Sequence, residues 1–124
     1  MTQPRLPTID DLAQLCADAE LTAPPAFEDE NGHVNVRHHY GLHMDGAEVA
    51  FRGFGIDQAW LARTGQSSFS VEHHVTFHSE ILIGDELAVY FRLLDRSAKV
   101  IHAMTILADL TTGRVVSPVE FIEA

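Results

Sequence analysis

Several things are scarce in this chain of 124 residues, and each absence narrows the field. No apolar run approaches the roughly 20 residues that a membrane-crossing helix needs, so no bilayer span is expected. Cysteine occurs once, at Cys16, so no internal disulfide can form, which fits a reducing, cytoplasmic setting. Cations are few. Eight Lys and Arg stand against eighteen Asp and Glu, a formal net charge of −10, which removes a phosphate backbone from the expected partners. The opening Met1-Thr2-Gln3-Pro4-Arg5 has no apolar signal core, so export is not expected. What remains is the ordinary globular mix, 46% hydrophobic and 21% charged, in a length that suits one domain around one core.

Histidine is the residue in excess. There are eight, with His33, His38, His39 and His43 in one cluster, His73, His74 and His78 in a second, and His102 apart. Imidazole titrates near neutrality and ligates metals, so clusters invite a chemical reading. His39 and His43 stand four apart, as two ligands on one helix face would. Tyr40-Gly41-Leu42 separates them, however, where a His-Glu-x-x-His site would carry an acid, so no metal and no cofactor is expected. The plainer account of each histidine is a half-buried position on an element face.

Along the chain, residues 1–8 read as a loose lead-in. Thr8-Ile9-Asp10-Asp11 has the pattern of a capping box, and Ile9, Leu12, Leu15, Cys16 and Ala19 recur at helical spacing, which predicts a short helix over 9–19. Ala23-Pro24-Pro25 ends it. A brief extended stretch at 26–28 precedes the turn-forming Asp29-Glu30-Asn31-Gly32. Val36, Tyr40, Met44, Ala47 and Phe51 then form a continuous apolar stripe, which predicts a buried helix from Asn35, its cap, to Gly53. One more helical turn is expected within 57–66.

From Ser67 the period changes to two. Phe69, Val71, His73, Val75 and Phe77 alternate with Ser70, Glu72, His74, Thr76 and His78. Three further strands are predicted at 87–94, 100–110 and 115–123, with Pro118 pointing to an edge or a bulge. One main helix followed by antiparallel strands is an α+β architecture of helix on sheet, and its open edges call for a second copy.

The densest chemistry lies in Asp29-Glu30-Asn31-Gly32-His33-Val34-Asn35, just before the main helix. Free amides at a helix start stabilise developing negative charge, and Asp29 stands where a general base or nucleophile would. The competing account is that Asp29 and Asn35 only cap loop and helix. Glu72 and His74 alternate onto one strand face, a carboxylate beside an imidazole that suits acid–base work or simply a solvated face.

These residues carry a family resemblance. Asp29-Glu30-Asn31-Gly32-His33-Val34-Asn35 resembles the Asp-x-x-Gly-His-x-Asn signature of hotdog-fold acyl-CoA thioesterases of the 4-hydroxybenzoyl-CoA thioesterase type. Tyr40 and Met44-Asp45-Gly46-Ala47 resemble the family's helix, with Gly46 where an acid is usual and His38-His39 as a one-residue insertion or a shift. Val71-Glu72-His73-His74, Glu80 and Gly84-Asp85-Glu86-Leu87 match its central strand and following turn. Leu94-Asp95, Lys99-Val100-Ile101-His102 and Thr112-Gly113 are similar to a subgroup that includes the thioesterase partner domain of carnitine dehydrogenases. The resemblance covers residues 24–124 and leaves 1–23 as an N-terminal extension.

It implies a hotdog fold, an antiparallel sheet wrapped around a central helix, assembled as a homodimer or homotetramer. It also implies hydrolysis of a small or medium acyl-CoA thioester to free acid and CoA. Carried over, Asp29 is the catalytic acid, with Gly32, His33 and Asn35 shaping the pocket and Glu72 and His74 completing it from the strand. Binding CoA phosphates to an acidic chain requires local cations, and Arg92, Arg96 and Lys99 are the candidates. A hotdog hydratase or dehydratase ranks second, because its usual Asp-x-Asn-x-x-His block differs here in the position of His33. A non-catalytic module that binds an acyl ligand is the third reading.

Overall fold

The computed structural model describes residues 6–124, so residues 1–5 of the expected lead-in lie outside the described residues. The first helix, α1, spans only Ile9–Leu12. Its capping box forms as expected, with the Asp11 amide donating to the Thr8 hydroxyl and the Thr8 amide to the Asp11 carboxylate. The helix does not run on to residue 19. The Asp18 amide instead donates to the Val89 carbonyl at 2.8 Å, and Ala19–Thr22 forms strand β1. A one-turn helix is marginal by itself, whereas an open strand edge offers a row of unpaired backbone groups. The stretch after Pro24 is likewise a 3₁₀ turn, Pro25–Phe27, and not extended.

Helix α2 spans Val36–Gly53 and α3 spans Gln58–Thr64, where Gly65 adopts φ 67° and closes it. Four strands follow: β2 (Ser70–Val75), β3 (Glu86–Arg96), β4 (Ile101–Asp109) and β5 (Arg114–Glu123). All pair antiparallel in one sheet, in the order β1-β3-β4-β5-β2. The sheet wraps α2, and α1 packs on its other face with Leu12 against Ala88, Tyr90, Met104 and Ile106. Pro118 lies in an interior strand, next to a register shift at Leu107/Ala108. Its carbonyl accepts from the Thr76 amide, so its missing N–H faces the point where β2 has already ended.

The face that α2 buries is rotated from the expected one and keeps only Ala47 of the predicted stripe fully buried. His39, Leu42, His43, Gly46, Ala47 and Ala50 are buried, while Val36 and Tyr40 are exposed and Met44 and Phe51 are half-buried on the flank. Small residues explain the rotation. A Cβ on Gly46 would lie 2.5 Å from Val89 Cγ1, so the glycine lets α2 approach β3 backbone-close. Strand β2 also departs from the expected apolar face. It is an edge strand, interrupted by a register shift between Ser70 and Glu72, and Phe69, Val71, Val75 and Phe77 are exposed.

Candidate functional site

The loop before α2 is held by its own acid. Asp29 Oδ1 accepts from the Asn31 amide at 2.9 Å and the His33 amide at 3.2 Å, while the Gly32 amide donates to the Asp29 carbonyl. Gly32 takes φ 81°, which favours glycine there. Asp29 Oδ2 has no hydrogen bond among the described residues and is the oxygen left for chemistry. Asn35 caps α2 through Oδ1, which accepts from the Arg37 amide at 3.0 Å. The His38 amide donates to the Asn35 carbonyl. Of the first helical amides this leaves Val36 N–H unpaired among the described residues. Asp29, Asn31, Asn35, Arg37 and His38 line an open groove of about 620 Å³. Phe27 stacks on His38 with ring centres 4.1 Å apart, and His33 Nε2 pairs with Glu80 at 2.8 Å.

Other expected site residues lie elsewhere in the chain. Glu72 and His74 do meet, Nε2 to Oε1 at 2.8 Å, and the His74 hydrogen bond holds the Glu72 carboxyl below the usual carboxylate range. Both are exposed on the sheet face opposite α2, where His74 borders Met104, Pro118 and Glu120, so one chain does not bring them to Asp29. Arg92, Arg96 and Lys99 are exposed at the far end of β3 and in the turn after it. The start of β3 adjoins the loop that bridges to His33, and Arg96 lies roughly 30 Å of extended strand away.

Two arrangements were not foreseen. His43 is fully buried between helix and sheet, with Nδ1 2.8 Å from the Thr105 hydroxyl and Nε2 2.8 Å from that of Ser117. Burial, with a smaller push from His39, lowers its pKa from 6.5 to about 3, so it is a neutral pin between α2, β4 and β5. Burial also lowers the His39 pKa, and its Nδ1 has no partner among the described residues. On the α2 flank, the Tyr40 hydroxyl bonds His73 Nδ1, and His73 Nε2 faces the buried Glu123. The helical i, i+4 spacing of His39 and His43 was visible in the sequence. The Tyr40–His73–Glu123 alignment had no local signal, because three separate elements supply it.

The profile of the thioesterase-like superfamily matches residues 23–122. The chain belongs to the thioesterase-like superfamily. Within that superfamily it is similar to the L-carnitine dehydrogenase/betainyl-CoA thioesterase of Rhizobium meliloti, 30% identical over 95 residues. The match takes in 77% of this chain but only 19% of that protein's length. Among solved structures, a Staphylococcus aureus protein in complex with CoA superposes with a TM-score of 0.80 at 22% identity, over 85% of this chain and 66% of that one. A 1,4-dihydroxy-2-naphthoyl-CoA thioesterase from Synechocystis gives 0.74 at 14% identity, over 86% and 78%. The superfamily's fold, a hotdog sheet around a central helix, is therefore the fold of this chain. Among the described residues, no helix is long and apolar enough to cross a membrane.

Proposed function

We propose that this chain hydrolyses an acyl-CoA thioester to free acid and CoA. The observation that carries the reading is a half-free carboxylate, Asp29 Oδ2, on a groove that also takes in Asn35, the residue before the Val36 amide that is unpaired among the described residues at the start of α2. The thioester oxygen is held by that amide and the positive end of the helix dipole. Asp29 Oδ2 takes the proton of the attacking water, or itself attacks the carbonyl carbon, and CoA leaves as the thiolate. Gly32, His33 and Asn35 shape the pocket wall. The superfamily membership and the relative's betainyl-CoA thioesterase activity support the reaction class. Small or medium acyl groups, betainyl among them, are the first substrates to try.

The active unit in this reading is a homodimer or homotetramer, with residues 24–124 as the catalytic part, 1–23 as an extension, and a cytoplasmic setting. The open edge of β2, with Val71 and Val75 exposed beside the exposed Val36 and Tyr40 of α2, supports a second copy on that side. A second copy is also the means by which Glu72, His74, Arg92, Arg96 and Lys99 serve the same substrate as Asp29. Thiol release from a panel of acyl-CoAs tests the reaction, and Asp29→Asn tests the residue. The variant is expected to lose about 100-fold or more in kcat with KM little changed. Full-rate thiol release from Asp29→Asn would make Asp29 a loop cap and move attention to Glu72.

A further inference from the structure

Strand β2 ends the sheet on one side, and its free edge runs Val71-Glu72-His73-His74-Val75. Toward β5 the even-numbered residues carry the ladder. His74 lies opposite Glu120, and the Thr76 and His78 amides continue the same pairing onto the Pro118 and Val116 carbonyls. Ladder groups alternate along an antiparallel strand, so His73 and Val75 turn their N–H and C=O to the open edge. Side chains alternate as well. His73 faces α2, where it bonds Tyr40, while Glu72 and His74 are exposed on the opposite face and bond each other at 2.8 Å. Val36, Val71, Val75 and Phe77 are left exposed beside this edge.

The order of these five residues is self-complementary. Set against its own reverse with His73 at the centre, valine meets valine and Glu72 meets His74. A centre on Glu72 instead sets acid against acid, and a centre on His74 sets imidazole against imidazole. A centre further along leaves too little strand to pair, because β2 ends at Val75.

We propose that two copies of this chain join edge to edge through antiparallel pairing of their β2 strands, with the two-fold axis at His73. The inference rests on the second-copy reading above and names its contact and its register. His73 and its counterpart exchange two backbone hydrogen bonds at the axis. Glu72 of each copy lies across from His74 of the other, at the positions where facing Cα atoms come closest, about 4.5 Å. Glu72 and His74 already bond within the chain, so the four side chains close a ring of alternating carboxylate and imidazole. On the opposite face, the Tyr40–His73 bond ties α2 to the axis. Val36 is one turn before Tyr40, about 6 Å along the helix, so the start of α2 in each copy borders the contact.

Light scattering of the full chain is expected to give a dimer at micromolar concentration. Its register is read by cysteine pairing in a Cys16→Ser background, which removes the native exposed thiol. Glu72→Cys and His74→Cys chains, mixed and oxidised, are expected to form a disulfide-linked heterodimer, and neither to cross-link by itself. Cross-linking of Glu72→Cys alone, or of His74→Cys alone, moves the axis and overturns the register while a dimer stands. A wild-type monomer, or no cross-link in any sample, overturns the contact. His74→Glu sets acid against acid twice and is expected to raise the dimer dissociation constant about 10-fold or more, and Glu72→Lys added to it to restore the dimer. An unchanged constant in His74→Glu overturns the ring. Thiol release from acyl-CoAs, measured on the wild-type chain, reads the reaction separately: a cross-linked heterodimer with no wild-type hydrolysis keeps the contact and overturns the thioesterase reading, and hydrolysis by a monomer does the reverse.

Discussion

Acidification should unlock the pin between helix and sheet. His43 protonates at about 3 in the folded chain and near 6.5 when exposed, because burial desolvates its ring and His39 adds a smaller push. Between those values the unfolded chain binds a proton that the native chain refuses. Stability from this group is therefore complete above pH 6.5 and is lost as the pH falls toward 3. Each pH unit inside the window is worth about 1.4 kcal/mol, so the loss is about 3 kcal/mol by pH 4. His43→Gln keeps a donor and an acceptor but cannot titrate. It is expected to cost about 1–2 kcal/mol at pH 7 and then to lose about 3 kcal/mol less than wild type on going to pH 4. Urea unfolding of both proteins at pH 7 and pH 4, at one protein concentration, measures the difference and cancels groups common to both. Parallel pH dependence of the two proteins would refute the reasoning, as would an NMR titration of His43 near 6.5.

Three further outcomes follow from the packing. Gly46→Ala gains about 1 kcal/mol of helix propensity but drives a methyl into Val89, so a net loss of about 1 kcal/mol is expected, recovered in a Val89→Ala background; a stabilised single variant would contradict the close approach. Burial and the neighbouring Asp85 raise the Asp109 pKa from 3.8 to about 6, so native stability falls as pH rises through that interval. Asp109→Asn, which still accepts from the Thr111 and Thr112 amides, should be about 1–3 kcal/mol more stable than wild type at pH 8 and little changed at pH 3, by chemical denaturation. Val75→Asp, on the exposed edge strand, should convert a dimer to a monomer in light scattering, and an unchanged mass would put the interface elsewhere.

Local chemistry was legible wherever a residue's partners are its near neighbours in the chain. The Thr8 capping box, the Asn35 cap and the turn that begins at Asp29 each close within four residues, and all three form. The three predicted strands after residue 86 also form, because runs rich in aromatic and β-branched residues between turn-forming residues favour extended backbone whatever they pair with. Asp29 and the helix start could be placed side by side for the same reason.

Tertiary contact decided the rest. Residues 17–22 leave the helical pattern because β3 offers them an unpaired edge, and no local signal encodes that offer. The apolar stripe of α2 misidentified the buried face because periodicity weighs side-chain hydrophobicity, while close approach to a curved sheet rewards glycine and alanine. His43 reads as a titratable group in sequence and becomes a neutral strut only when Thr105 and Ser117 arrive from 62 and 74 residues away. Glu123 is one of eighteen acids in the sequence, and it is distinguished only by the sheet that buries it beside Ser70, His73 and an apolar cavity. Desolvation is a property of the assembled surroundings, so the groups whose chemistry depends on it are read only from the folded chain.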